Sequence, residues 1–286
     1  MSHKFSLRNH TSVALLVVAM STYSCGPKAP QETTETKPTE TTATASDTTV
    51  REEKAQDFFH SLPSPIHIAH LFRRAGLKYV DGLGNAPESV SKYQSEYSSS
   101  LNIGVYTTDL AYATFNNKSQ VSISYFKAVR TLGEKLNMAS IFDKHGLLPR
   151  FEKNLNNQDS LLNIMADMHM ESDLLLKETS RRDVVYLSFA GAWVESMYIA
   201  TSLIAKESNP ALTKRVIHQS ITLNKLIKLL EDYKDRPQVA DLIAKLNEVK
   251  ATLDKLNEQK DAMNPADFQK FTEQVKEIRG NIIASV

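Results

Sequence analysis

The stretch DVVYLSFAGAWVESMYIATSLIAK, residues 183–206, decides the fold of this chain. Its apolar side chains cover nearly every side of a helix, which is typical of a helix that its neighbours bury on several faces. The stretch also has the length of a membrane span. However, Glu195 lies at its middle, and Ser, Gly and Thr dilute its apolar character. We therefore predict the central helix of a bundle.

Downstream of this stretch, apolar seams predict three further helices. Their members are spaced alternately three and four residues apart, which is the period of a packed helix. They are Leu212, Val216, Leu223, Leu226, Leu230 and Tyr233, with Gln219 at one position of this seam, then Val239, Leu242, Leu246, Val249, Leu253 and Leu256, and finally Phe268, Phe271, Val275, Ile278 and Ile282. The last two seams match in length, and a short turn joins them. We predict that they form an antiparallel C-terminal helical hairpin.

Helix boundaries are marked by pairs of a capping residue and proline. Ser64-Pro65, Asn209-Pro210 and Asn264-Pro265 each predict a helix start, and Gly76 predicts the end of the first helix. No alternating strand pattern extends beyond a few residues. The predicted fold class is an all-α, multi-helix bundle over residues 58–286.

Two apolar segments resemble each other in sequence. Residues 104–114 read GVYTTDLAYAT and residues 191–201 read GAWVESMYIAT, with matching Gly, aromatic and Ala-Thr positions. An internal duplication of helix pairs explains the match, and so do two apolar helices of similar composition. In either case, the Gly and Ala residues let neighbouring helices approach closely.

The candidate binding site consists of acids in apolar surroundings. Asp109 and Glu195 lie within the two similar helices, and a buried carboxylate must be paired, hydrogen-bonded or protonated. If these helices pack together, both acids reach one site, where their proximity raises one pKa. Aromatic side chains that can line the same pocket are Tyr106, Tyr112, Trp193 and Tyr198. The alternative is that each acid pairs with a core tyrosine or a basic residue and serves structure alone.

We predict that two further polar clusters lie on solvent-facing surfaces of helices. His67 and His70 share a face, but the sequence offers no third ligand, and Arg74 opposes a cation there. The second cluster comprises Asp167, His169, Glu171 and Asp173. The chain has no G-x-S-x-G, P-loop, dinucleotide or H-E-x-x-H motif. We expect no catalytic residue, no metal site and no cofactor, and hence no enzyme.

The composition limits the partners. Basic residues number 34 and acidic residues 33, so the net charge of +1 provides no field for nucleic acid. The single cysteine, Cys25, excludes an intramolecular disulfide and any multi-cysteine zinc site. Before it, Lys4 and Arg8 precede the short apolar run VALLVVAM at 13–20, which predicts a secretory signal over residues 1–24.

With its cysteine after Thr22-Tyr23-Ser24, this segment resembles a bacterial lipoprotein signal of the looser Bacteroidota type. The resemblance covers residues 1–25 and implies that Cys25 is the lipidated first residue of the mature chain. Ser24 fits the family pattern, whereas Thr22 and Tyr23 depart from it. An ordinary secretory signal with an incidental cysteine is the alternative. Residues 25–57, rich in Thr, Glu and Pro, predict a disordered tether after the lipidated cysteine.

The globular part resembles uncharacterised helical lipoproteins of the Bacteroidota. This implies a cell-envelope location with the outer membrane as anchor, on either the periplasmic or the surface face. We predict a non-enzymatic scaffold or protein-interaction domain, bound to the membrane through Cys25 and to an envelope protein of unknown identity. The alternative is a small-ligand or metal-binding bundle around Asp109 and Glu195.

Overall fold

The computed structural model describes residues 78–144, 146–259 and 263–285. These residues form ten α-helices and two short 3-10 helices and contain no strand, which confirms the predicted all-α bundle. The predicted signal, the lipidated Cys25, the tether, and the helix between Ser64-Pro65 and Gly76 lie outside the described residues.

The helices are α1 (Glu96–Phe115), α2 (Ser119–Lys135), α3 (Ala139–Lys144), α4 (Leu147–Lys153), α5 (Gln158–Glu178), α6 (Arg182–Lys206), α7 (Pro210–Ile217), α8 (Ser220–Leu230), α9 (Pro237–Glu258) and α10 (Pro265–Ala284). The 3-10 helices are Pro87–Lys92 and Glu231–Tyr233. Both predicted starts within the described chain are confirmed. The side chain of Asn209 caps α7 by accepting a hydrogen bond from the Leu212 amide, and Asn264 caps α10 in the same way through the Ala266 amide.

The seam predicted as one helix after Asn209 is two helices, α7 and α8. The break falls at His218 and Gln219, where the Gln219 amide bonds to the Val216 carbonyl three residues back. Gln219 occupies a seam position, and a polar side chain there does not continue the apolar stripe. The apolar seam residues on both sides of the break are buried, so the two short helices share one buried face.

The helices of the described chain can be grouped into a first half, α1–α5, and a second half, α6–α10. A long buried helix opens each half, namely α1 in the first and α6 in the second. The final helix of each half packs against both long helices, since α5 and α10 each contact α1 and α6. Each half has its own hydrophobic core, and the two cores meet at α1 and α6. The helices that follow the two long helices differ in length, since α2 has 17 residues while α7 and α8 have 8 and 11, so the internal duplication stays a prediction.

The C-terminal hairpin is confirmed. The α9 seam residues are buried, as are Phe271, Val275, Ile278 and Ile282 of α10, while Phe268 is partly buried against the same core. Ion pairs tie the two helices along their exposed edges, with 2.8 Å between Lys255 Nζ and Asp267 Oδ1 and 2.9 Å between Lys245 Nζ and Glu277 Oε1.

The central position predicted for residues 183–206 is also confirmed. By length and composition α6 is apolar enough to cross a membrane, and it is the one such helix among the described residues. However, 78% of its most apolar window is buried within the protein. Packing against α1, α5, α7, α8 and α10 accounts for its apolar character.

Candidate functional site

The candidate site lies where α1 and α6 cross. A methyl group on Gly104 would overlap the carbonyl oxygen of Ser188, and one on Gly191 would overlap the carbonyl oxygen of Leu101. Both glycines and both carbonyl partners are separated by 87 residues, so the contact is reciprocal, as in a two-fold symmetric interface. Only glycine permits this approach, and the two backbones come into direct contact.

The crossing brings the two predicted acids together. Asp109 on α1 and Glu195 on α6 are both 0% exposed, and they lie close enough together for their charges to interact. We call them the acid pair. Two carboxyl groups can form a hydrogen bond only when one of them carries a proton. One shared proton therefore lets Asp109 and Glu195 hydrogen-bond to each other and removes the repulsion between two negative charges.

Arg279 of α10 neutralises one member of the acid pair. Its guanidinium donates two hydrogen bonds to the Glu195 carboxylate, 2.7 Å from Nε to Oε2 and 3.0 Å from Nη2 to Oε1. Its Cζ also lies 4.0 Å from the centre of the Tyr198 ring, in a cation–π contact. Arg279 is 8% exposed, so the ion pair is shielded from water and its two-pronged geometry fixes Glu195.

Among the described residues, no cation forms an ion pair with the other member of the pair, Asp109. The Asp109 Oδ2 atom accepts a hydrogen bond of 3.0 Å from the Asn85 amide. No N–H or hydroxyl donor among the described residues reaches its Oδ1 atom. A carboxylate buried with so few donors is poorly stabilised. A protonated carboxyl group that donates a hydrogen bond to Glu195 is favoured there instead.

The pKa values follow from these surroundings. Burial raises the pKa of Asp109 well above its usual value, and the negative charge of Glu195 raises it further. Burial also raises the pKa of Glu195, but the charge and hydrogen bonds of Arg279 oppose that effect. We therefore assign the proton to Asp109 and the negative charge to Glu195.

An irregular segment, residues 78–86, covers the acid pair, and we call it the strap. Its Asn85 amide bonds to Asp109, and its Leu83 carbonyl accepts a hydrogen bond of 3.3 Å from Arg279 Nη2. A methyl group on Gly84 would lie 2.7 Å from Asp109 Oδ1 and would overlap the Tyr125 hydroxyl. The strap backbone thus occupies the space above the pair.

The predicted aromatic residues divide between the site and the core. Tyr112 and Tyr106 hold the strap, since their hydroxyls donate hydrogen bonds of 2.9 Å to the carbonyls of Lys78 and Ala86 respectively. Tyr198 lies under Arg279. Trp193 is not brought to the pair: it precedes Glu195 by two residues, which places it about 200° around the helix, fully buried in the core of the second half.

Of the two remaining polar clusters of the sequence, only the one around Asp167 lies in the described part of the chain. Among the described residues, no group of three or more His, Cys, Asp or Glu side chains is placed to hold a metal ion. Asp167 pairs with Arg150 at 3.1 Å and Asp173 with Lys177 at 2.9 Å. His67 and His70 lie outside the described part of the chain.

Sequence reasoning missed Arg279 and the strap. Arg279 follows the seam residue Ile278 in a charge-rich stretch, KEIRG, where arginines usually face solvent. The signal that could have found it is the need of two buried acids for a cation. The strap has no periodicity, and turn-forming pairs such as Asp81-Gly82 are its main sequence feature.

The function of this chain has to be inferred from its own sequence and geometry, because no similar protein indicates it. The chain matches no family model, no curated protein and no solved structure.

Proposed function

We propose that this chain is a non-enzymatic, lipid-anchored protein of the cell envelope whose helical domain acts as a scaffold for a protein partner. One observation carries the proposal for the domain: the charged groups at its centre bond to other groups of the protein and do not face an open pocket. Glu195 is held by Arg279 and Asp109 by the Asn85 amide, and the strap fills the space above them.

A catalytic carboxylate must reach the atoms of a substrate. The acid pair, at 0% exposure, instead joins α1, α6, α10 and the strap into one unit. A scaffold also needs a filled interior and a surface that can meet a partner. Met170 and Leu174 lie one turn apart on α5 and are 59% and 50% exposed, so they are the first residues to substitute in a search for that surface.

The anchor part of the proposal rests on the sequence. The apolar run at 13–20, Ser24 and Cys25 match a lipoprotein signal, and the Thr-rich residues after it suit a tether. Stable anchoring needs at least two acyl chains, which mature lipoproteins carry. We place the domain at the outer membrane, on its periplasmic or its surface face.

Detergent phase separation tests the anchor. The chain expressed in an envelope-forming bacterial host is expected in the detergent phase, and the Cys25→Ser variant in the aqueous phase. Partition that does not depend on Cys25 would contradict lipidation. Cross-linking of the intact protein in its membrane, comparing wild type with a Met170→Ser, Leu174→Ser variant, then identifies partners that depend on α5.

A small-ligand bundle is the second candidate, favoured by one observation. Asp109 Oδ1 and the Trp193 indole nitrogen are buried without a hydrogen-bond partner among the described residues. Native mass spectrometry of the chain purified from its own envelope separates the two functions. The scaffold predicts the bare mass of the chain with its lipid. An additional mass that is lost in the Asp109→Asn, Glu195→Gln variant would favour the ligand carrier.

A further inference from the structure

The acid pair and Arg279 carry unequal charge. Two ionised carboxylates and one guanidinium would leave a net negative charge at a site where both acids are 0% exposed. Enclosure of an uncompensated charge is costly, and a carboxyl group in this position takes up a proton instead. One bound proton makes the whole cluster neutral.

The strap is the part of the fold that depends most directly on this balance. The two backbone groups it contributes bind the two sides of the cluster, since the Asn85 amide donates to Asp109 and the Leu83 carbonyl accepts from Arg279. The outer side of the strap faces water, because Lys78, Asp81 and Gly82 are exposed. Release of the strap would therefore hydrate the cluster without unfolding the helices behind it.

We propose that the Asp109–Glu195 pair is a proton-binding site, that one bound proton closes the strap over it, and that loss of this proton releases the strap. In the closed state Asp109 carries the proton and donates it in a hydrogen bond to Glu195. In the open state water solvates both carboxylates, and Asp109 ionises as an ordinary surface acid. The proposal does not depend on the membrane anchor.

The direction of the pH effect follows from proton linkage. The closed state has the higher pKa at Asp109, so it binds more protons than the open state. The stabilisation of the closed state is complete below the ordinary Asp pKa of about 3.9, and it is lost as the pH rises through the raised pKa of Asp109. Mild acid closes the strap, and alkaline conditions open it.

In the described part of the chain, the other ionisable groups that surround the pair are tyrosines and one arginine. They are Tyr79 of the strap, Tyr93 after it, Tyr106 and Tyr112 of α1, Tyr125 of α2, Tyr198 of α6 and Arg279 of α10. Burial raises the pKa of Tyr112 to about 12 and also raises the pKa values of Tyr93 and Tyr125. The raised pKa values keep the hydroxyls of Tyr112, Tyr93 and Tyr125 neutral in this range, so the acid pair is the part of this cluster that responds between mild acid and mild alkali.

Hydrogen exchange of the full chain across this pH range tests the proposal. The amides of Val80, Leu83 and Asn85 are hydrogen-bonded in the closed strap and report on it. After correction for the intrinsic pH dependence of exchange, their protection is expected to fall at least about tenfold between pH 5 and pH 8.5, since a tenfold change corresponds to one pKa unit. Amides of α9 in the same spectra should keep their protection.

Two variants sharpen the test. Asp109→Asn has the same shape, remains neutral and still donates to Glu195, so its strap should stay protected at every pH. Asp173→Asn removes another acid, the partner of Lys177, and should retain the wild-type pH response. The proposal is overturned if strap protection in the wild type is independent of pH, if Asp109→Asn retains the pH response or opens the strap throughout, or if α9 loses protection in parallel.

Discussion

Two helix pairs in this molecule pack by different means. The hairpin of α9 and α10 joins two apolar seams whose large side chains are buried between the helices. The crossing of α1 and α6 has glycines at its closest point and a buried ionic cluster beside it. The stability of the hairpin depends on the volume of its buried side chains. The stability of the crossing depends on the absence of side chains at the two glycines and on the charge balance of the cluster. Substitutions should therefore affect the two pairs unequally.

The largest effect is expected from Arg279→Met. This change leaves Glu195 without its cation in a buried site, and breaking a buried pair in this way costs about 3–5 kcal/mol of unfolding free energy. The loss should be greater at pH 8 than at pH 5, because at lower pH Glu195 can take up a proton. Urea unfolding at the two pH values measures both effects. A loss below 1 kcal/mol at both would show that the cluster contributes little.

A single added methyl at the crossing is expected to cost nearly as much. In Gly191→Ala the new carbon overlaps the backbone of α1, so the helices must move apart, at a cost of about 3 kcal/mol. The matched control is Gly280→Ala in α10, where nothing lies within 4 Å of the new carbon. That control should be neutral or stabilising by up to about 1 kcal/mol. Equal behaviour of the two variants would refute close packing at Gly191.

The hairpin seam should tolerate a change of shape. Leu253 is fully buried in α9, but Leu253→Met conserves volume and is expected to cost less than about 1.5 kcal/mol. Urea midpoints of Leu253→Met and Gly191→Ala, compared at equal m-values, give the contrast directly. A more severe loss in Leu253→Met than in Gly191→Ala would reverse the comparison.

The smallest effect is expected at the surface of the hairpin. Lys245→Ala removes the ion pair with Glu277, whose side chain is 67% exposed, and such exposed pairs contribute at most about 1 kcal/mol. Thermal unfolding at low and high salt is the appropriate measurement, since salt should remove the small difference between the variant and the wild type. A difference that persists at high salt would point to a role for the lysine stem in packing instead.

The same contrast explains what the sequence could predict. Apolar residues such as Leu246, Val249 and Leu253 recur at a regular period, so the hairpin could be predicted from the sequence. The start of α10 could be predicted from its capping residue, Asn264. Asp109 and Glu195 stand out because acids are rare within apolar helices, and the two similar segments suggested that they meet. The structure brings them together.

Features that depend on residues distant in the sequence could not be predicted from it. Arg279 lies 84 residues from Glu195, and nothing local to it distinguishes a buried arginine from an exposed one. Likewise, no pattern within residues 78–86 shows that their backbone covers a buried acid. The break between α7 and α8 was missed because the seam keeps its period across Gln219 while the backbone does not.

The most direct test of the central cluster as a closed structural unit is a double-mutant cycle of Glu195→Leu and Arg279→Met, read by urea unfolding. If the ion pair serves structure alone, each single variant loses about 3–5 kcal/mol, while the double variant, which leaves no unpaired charge, recovers most of that loss. If the losses simply add, the two residues do not act as a pair, and the account of the crossing as a neutral, sealed joint is contradicted.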